Sequence, residues 1–529
     1  MNESLAALSG AAFDVAVIGG GINGASAAQH LAAAGYSVLL VEKGDFGSGS
    51  SGRSSRLLHC GLRYLAPGRS LLDFVRHPSR FVVALQMAKK GMEARSEFVR
   101  TSAEQARAMR FCFPIFKGGP YRAWQVDLAF QLLRRLGPGD LPLDYERVPA
   151  QAATRMPLLR WLRDPQALES VAMFREYQFD WPERICVDSV LDAERLGAVV
   201  RNHSRARIVA RTADGWSIEI AGADATAPGP NDHPVRVKAK VVLNMAGIWI
   251  DSVNRDAQPK AKQRVLGTKG CHVLVRLPAD CANIGIATLN SKLEPFYCIP
   301  YRGFHFFGPT ETLYEGDRDR IHVTAEERAW LVGEANRLLP QLKLTEADVL
   351  MTWAGVRPLT YDESVPFGNR SRVIHDLAPD DMPDVYAMTA GPVMTHRSAG
   401  RQLTDVVRRR IPPSGPPKRP DYAPARFPDD PDSPPLVAEA PVKLSDLRHA
   451  VRGQHARTLM DALFRRVELG WRCAFTPAEL ARAAEVIGGE LGWSDTRKEQ
   501  EIQAFRAEAA FLFDQRQPLR PIDPPAGPR

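Results

Sequence analysis

The strongest constraint on this chain lies near its amino end. Residues 13–18, Phe-Asp-Val-Ala-Val-Ile, form a short apolar run that ends in Gly19-Gly20-Gly21-Ile22-Asn23-Gly24. A short apolar run closed by glycines is the pattern of a buried parallel strand. Residues 22–34 are alanine-rich and helix-forming, and residues 37–42, Ser-Val-Leu-Leu-Val-Glu, read as a second strand. Strand, glycine turn, helix and strand predict one βαβ unit. Gly19, Gly21 and Gly24 satisfy the spacing G-x-G-x-x-G, with Asn23 in the same turn. The first glycine permits the tight turn and the second admits a pyrophosphate against the backbone. The third lets helix and strand pack closely, while the helix N-terminus stabilises the phosphates. Glu42 ends the second strand, where it can accept hydrogen bonds from a ribose. A dinucleotide site is expected.

Glycine spacing alone does not separate a nicotinamide dinucleotide from FAD. The segment after Glu42 helps: Gly47-Ser48-Gly49-Ser50-Ser51-Gly52-Arg53-Ser54-Ser55-Arg56 offers hydroxyl and backbone donors where a flavin's pyrophosphate and ribityl chain would pass. In isolation such a segment also reads as a flexible surface loop.

At 529 residues the chain is too long for one core, so two or three domains are expected. Lys240–Met245 and Asp384–Thr389 have strand character and are expected in the sheet of the βαβ unit or beside it, whereas His272–Leu277 and Arg302–Phe307 read as antiparallel sheet. The two sheets therefore interleave in sequence. From Ile411 to Val442 the chain is dense in Pro and Asp, a linker or surface-hugging loop. Thr476-Pro477-Ala478-Glu479 is a capping box with Pro at the first helical position, and Leu459, Met460, Leu463 and Val467 fall on one helical face. The expected fold is α/β: a Rossmann-type domain (13–85, 171–255 and 351–410) interleaved with an antiparallel-sheet substrate domain (86–170 and 256–350). A Pro-rich linker (411–442) and a small all-α domain (443–515) follow.

Seven scattered cysteines without a CxxC pair argue against a disulfide framework or a zinc site, and no metal is expected. Met1–Ala12 does not read as a secretory signal, and no run of eighteen apolar residues occurs. The formal net charge of +8 comes from arginines spread along the chain rather than one basic block. That reads as a solvated basic surface, or as attraction for anionic phosphate substrates or acidic headgroups.

Residues 54–65, Ser-Ser-Arg-Leu-Leu-His-Cys-Gly-Leu-Arg-Tyr-Leu, closely resemble the signature of FAD-dependent glycerol-3-phosphate dehydrogenases of the D-amino-acid-oxidase-like superfamily. Asn244-Met245-Ala246-Gly247-Ile248-Trp249, Lys269-Gly270-Cys271-His272 and Gly355-Val356-Arg357-Pro358-Leu359 resemble further motifs of that family in the same order. Ala450-Val451-Arg452 and Glu490-Leu491-Gly492-Trp493 resemble its C-terminal helical domain. The resemblance implies non-covalent FAD and a two-electron oxidation of a small hydroxylated anion such as glycerol 3-phosphate, by hydride transfer to flavin N5. It assigns catalysis to His272 and Arg357, and substrate binding to Arg63, Tyr64 and Arg372. Cofactor contacts fall to Gly19, Gly21, Asn23, Gly24, Glu42, Ser54, Ser55, Arg56, Leu57, Gly391 and Thr395. By residue type alone, an arginine after a strand is a surface ion pair and a lone histidine a structural one.

The chain departs from the family where a Gly-Gly-Lys segment appears as Ala390-Gly391-Pro392, which removes a cation and a backbone N–H beside the flavin. His396 is a candidate replacement. Cys60 replaces a glycine and reads as a small buried residue or as a thiol near the ring. Trp181-Pro182-Glu183-Arg184 and Gly308-Pro309-Thr310-Glu311 also differ from the family. An amine or amino-acid oxidase and a non-catalytic flavoprotein are the alternatives. The expected partners are a small anionic substrate, an electron acceptor such as a quinone, and further copies of the chain, not nucleic acid. The expected location is the cytoplasm or the inner face of a membrane as a peripheral protein.

Overall fold

The computed structural model describes residues 5–65, 78–222, 233–438, 440–472 and 474–515. Strand Ala12–Ile18 is buried at every position but its first, as its unbroken apolar run requires. It pairs in parallel with Val38–Val41 on one side and Val235–Asn244 on the other. The eight-stranded first sheet runs Val373–Asp376, Val385–Thr389, Val235–Asn244, Ala12–Ile18, Val38–Val41, Val199–Arg201, with the hairpin Ser204–Thr212 and Gly215–Gly222 joined to Val235–Asn244. Helix Ile22–Ala33 is buried almost all round. It packs against helices Pro182–Arg195 and His396–Arg408 as well as the sheet, which explains its small side chains.

The second sheet has ten strands, and most of its pairings are antiparallel. Val265–Val275 pairs with Phe304–Gly308 and, along its whole length, with Val349–Thr360. The expected antiparallel segments are therefore present and paired with each other. Leu168–Phe179 and Val349–Thr360 both belong to this sheet and run across the boundaries expected at residues 170 and 350. Strand Leu57–Leu58 pairs with Leu168–Phe179, so the signature segment joins the two sheets.

Residues 411–435 run over the surface, and Leu436 and Val437 then enter the core of the helical region. Gly415 N–H donates to Gly35 O (2.8 Å) and Lys418 N–H to Ala33 O (2.7 Å). The helical region comprises Leu444–Gln454, Pro477–Leu491 and Asp495–Phe513, and the Thr476 capping box forms as expected. Around Leu459–Val467 the structure departs from the expected amphipathic helix. Asp461–Arg466 is one π-type turn, buried on all sides, because Asp461, Arg465 and Arg466 turn inward into ion pairs.

Candidate functional site

A cavity of about 980 Å³ lies between the sheets, lined at one end by Glu42 and the Gly19–Gly21 turn, and at the other by Arg63, Tyr64, His272 and Arg357. Ligand pockets span roughly 300–1,000 Å³. Ser54, Ser55, Arg56, Leu57 and Gly391 also line it.

The glycine turn is built as its spacing predicts. Gly19 has φ +110°, and a Cβ there would stand 2.6 Å from Met245 O. Gly24 lies behind the cavity wall; a Cβ on it would meet Gly19 O at 1.9 Å, so the helix rests directly on the strand end. The helix starts at Gly21 without a side-chain cap, and Ile22 N–H donates to Ser51 Oγ (3.0 Å). Asn23 Nδ2 donates to Gly391 O (2.8 Å), while its Oδ1 is buried without a partner among the described residues. Glu42 accepts from Gly20 N–H (2.7 Å) and Gly44 N–H (2.8 Å), and burial pushes its carboxyl up. A helix N-terminus capped by a glycine, a half-buried carboxylate with lone pairs to spare and an orphaned amide oxygen fit a dinucleotide.

At the far end His272 Nε2 lies 2.9 Å from Ser55 Oγ, and its ring stacks on Trp353 at 5.0 Å between centroids. Trp353 Nε1–H donates to Ser54 O (3.2 Å), so one indole positions both the imidazole and the serine loop. Burial, then the Arg357 and Arg56 charges, pull the His272 pKa to about 3. Arg357 is pulled to about 10 by burial and the neighbouring Arg370 charge. Its Nη2 donates to Thr310 O (3.4 Å), and its Nη1 is buried without a partner among the described residues. Arg370, also in the cavity wall, pairs with Glu311 and is pulled down by burial and then by Arg63.

Not every expected residue reaches the cavity. Arg372 donates to Thr395 O (3.0 Å) and Ser398 Oγ (2.8 Å) and lines a separate surface hollow with Asp376, Tyr386 and Arg410. Ser371 forms a bend, so the two arginines flanking it diverge. Thr395 is held by Arg372 rather than set in the cavity wall. His396 is buried behind the wall with Nδ1 on Val393 O (2.8 Å), and burial pulls it to about 3; it does not replace the family lysine. Cys60 is buried off the cavity, its N–H on Glu176 Oε2 (2.9 Å), as a small core residue.

Cavity residues that escaped sequence reasoning include Arg370, His59 and Tyr297. His59 sits edge-on to Tyr64 at 5.3 Å, its Nδ1 buried without a partner among the described residues. Burial and then the Arg63 charge pull it to about 3. Its place in the signature run was the available signal. The bend that separates Arg370 from Arg372 is closed by Ser371 N–H donating to Asn369 Oδ1 (2.8 Å), so the run Gly368-Asn369-Arg370-Ser371 was its signal.

Comparison with known proteins agrees with this geometry. The family model for DAO, FAD dependent oxidoreductase, matches residues 14–406. A glycerol-3-phosphate dehydrogenase of Synechocystis sp. is 27% identical over 416 residues, 77% of this chain and 72% of that protein. An aerobic glycerol-3-phosphate dehydrogenase of Staphylococcus aureus is 26% identical over 404 residues, 75% of this chain and 67% of that protein. The crystal structure of a glycerol-3-phosphate dehydrogenase from Bacillus halodurans complexed with FAD superposes with a TM-score of 0.68 at 18% identity, covering 96% of each chain, which establishes a shared fold.

Proposed function

The chain belongs to the DAO family of FAD dependent oxidoreductases, and from that premise we propose that it is a dehydrogenase oxidising sn-glycerol 3-phosphate, or a closely related small hydroxylated anion, to the ketone. The observation that carries this reading is the cluster of Arg63, Arg357 and Arg370 at the far end of the cavity, three cations that share the field of one carboxylate, Glu311, which pairs directly with Arg370. A phosphate monoester carries about −1.5 to −2 charges at neutral pH. Three guanidiniums against one carboxylate among the described residues suit a dianion better than a monocarboxylate, and their forked donors match phosphate oxygens.

The Gly19–Gly21 turn and the following helix end would hold the cofactor's pyrophosphate, Glu42 its ribose, and Ser54–Leu57 with Gly391 its flavin end. When bound, FAD supplies the two-electron acceptor. The protein's part is to place the substrate carbon and receive the hydroxyl proton. His272, neutral above about pH 4 and fixed by Ser55 and Trp353, can accept that proton. A bound phosphate would offset the Arg357 field that depresses it and so raise its basicity on substrate binding. His59 is the second imidazole within the same wall, and its variant is the control for the first.

We also propose a membrane quinone as electron acceptor. No described helix is long and apolar enough to cross a membrane. Helix Ala123–Leu136 exposes Trp124 and Leu128 near Arg122, Arg134 and Arg135, a face suited to an anionic lipid surface.

Anaerobic titration of the yellow protein decides the substrate. Glycerol 3-phosphate should bleach the flavin while amino acids do not. Bleaching by an amino acid alone would make the protein an amino-acid oxidase, and no bleaching by either would leave a non-catalytic flavoprotein.

A further inference from the structure

The C-terminal helical region reaches the cofactor loop through buried charge. Asp45 lies three residues past Glu42, its side chain fully buried. It accepts from Arg466 Nη1 and Nη2 (2.8 Å each), from Arg465 Nε (2.5 Å) and from Asn202 Nδ2 (2.9 Å). Both arginines belong to the π-type turn Asp461–Arg466. Arg465 also bridges to Asp461 (2.7 Å), which receives His203 Nε2 at 2.8 Å. His203 N–H in turn donates to Gly44 O (2.7 Å), and Gly44 N–H donates to Glu42. One continuous chain of polar contacts thus joins the turn to the carboxylate at the ribose end of the cavity.

A second contact meets the loop farther on. Arg56 lines the cavity with φ +56°, a left-handed conformation that a non-glycine residue holds only when its surroundings fix it. Its guanidinium pairs with Glu183 (3.1 Å) and lies 4.2 Å over the ring of Trp471, just beyond the turn. Arg53, also in the cavity wall, feels the Glu508 carboxylate from the last helix.

We propose that Asp45 is a positioning residue for the cofactor: clasped by Arg465 and Arg466, it makes docking of the C-terminal helical region and closure of the FAD loop one coupled equilibrium. Removing either Asp45 or its partners leaves buried charge uncompensated, so the loop and the turn are stable together. By linkage, whatever FAD contributes to the docked state, the docked state returns to FAD affinity. The inference rests on FAD binding by the family and not on the choice of substrate.

Hydrogen exchange on the full chain, with FAD removed and then restored, tests this. On FAD binding, amides of residues 457–466 should gain at least tenfold protection, together with those of residues 47–57. Helix Ala123–Leu136, away from the clasp, should change much less. Equal changes in residues 457–466 and in Ala123–Leu136, or no change in the former, would overturn the coupling. Asp45→Asn supplies the second arm. FAD should bind at least tenfold more weakly, and saturating FAD should protect residues 47–57 but no longer residues 457–466. Wild-type affinity and wild-type protection in that variant would also overturn it. If the variant does not fold, the wild-type comparison decides.

Discussion

The Arg357 guanidinium rests over the backbone of Gly270: a Cβ on that glycine would stand 2.3 Å from Arg357 Nη2 and 2.8 Å from its Cζ. Gly270→Ala should therefore displace the guanidinium without touching the glycine turn at the other end of the cavity. A charge-assisted hydrogen bond contributes about 1.5–3 kcal/mol, so KM for the phosphate substrate should rise roughly 10–100-fold. FAD content should stay stoichiometric. Unchanged kinetics in Gly270→Ala would remove Arg357 from the substrate end.

Arg370 and Arg372 make opposite predictions from neighbouring positions. Arg370→Ala removes a cavity-wall cation and leaves Glu311 facing the substrate, so KM should rise at least tenfold. Arg372→Ala loses hydrogen bonds to Thr395 O and Ser398 Oγ, outside the cavity. That variant should lose about 1–2 kcal/mol of stability in thermal unfolding and keep its KM. The reverse pattern would restore Arg372 to the site.

This pair also marks how far the sequence was readable. The βαβ unit was legible because its signal is local: an apolar run, glycines at fixed spacing and a terminal acid impose one geometry on consecutive residues. Gly19 and Gly24 take the roles their spacing implies. The far end was legible only through resemblance, since Arg63, Arg357 and His272 come from separate segments. Arg370 and His59 were missed because local backbone direction, at the Asn369 turn and just past the strand end at Leu58, decides which side chain enters the cavity, and no motif reports that direction. The helical face read around Leu463 failed for a related reason. Its polar residues have buried partners, among them Asp45 and His203, hundreds of positions away.

Acid should destabilise the protein through its buried imidazoles. His59, His272 and His396 are held at about 3, and His30 and His305 at about 4, mainly by burial. Each has a folded pKa below the unfolded value of about 6.5. Between those limits the unfolded chain binds more protons, so stability falls as pH drops from about 6.5 toward 4. One such histidine costs up to about 2 kcal/mol at pH 5. Glu176 and Glu468, raised to about 7 by burial, act in the opposite sense, losing stability as pH rises from about 4.5 to 7. The large shifts in this range are mostly those of imidazoles, His375 at about 4 included, which should leave a net loss, read as a lower urea midpoint at pH 5 than at pH 7. His272→Asn should lessen that loss, and its kcat should fall while His59→Asn provides the comparison. An equal acid response in wild type and His272→Asn would contradict a buried neutral imidazole.

Contact with a membrane surface makes the last prediction. Trp124 and Leu128 are 62% and 55% exposed, one turn apart on the same face of their helix, and Arg135 continues that face two turns on. Inserting two such side chains contributes about 3 kcal/mol, and each arginine near an anionic surface about 1 kcal/mol. The apolar part survives salt, whereas the arginine part is screened over about 8 Å at physiological ionic strength. Wild-type protein should therefore co-float with vesicles rich in phosphatidylserine, more weakly at high salt and more weakly still with neutral vesicles. Trp124→Ser with Leu128→Ser should cut the affinity roughly 100-fold and leave turnover with a soluble dye acceptor unchanged, since neither residue lines the cavity. Flotation of the double variant at wild-type strength would place the membrane contact elsewhere on the molecule.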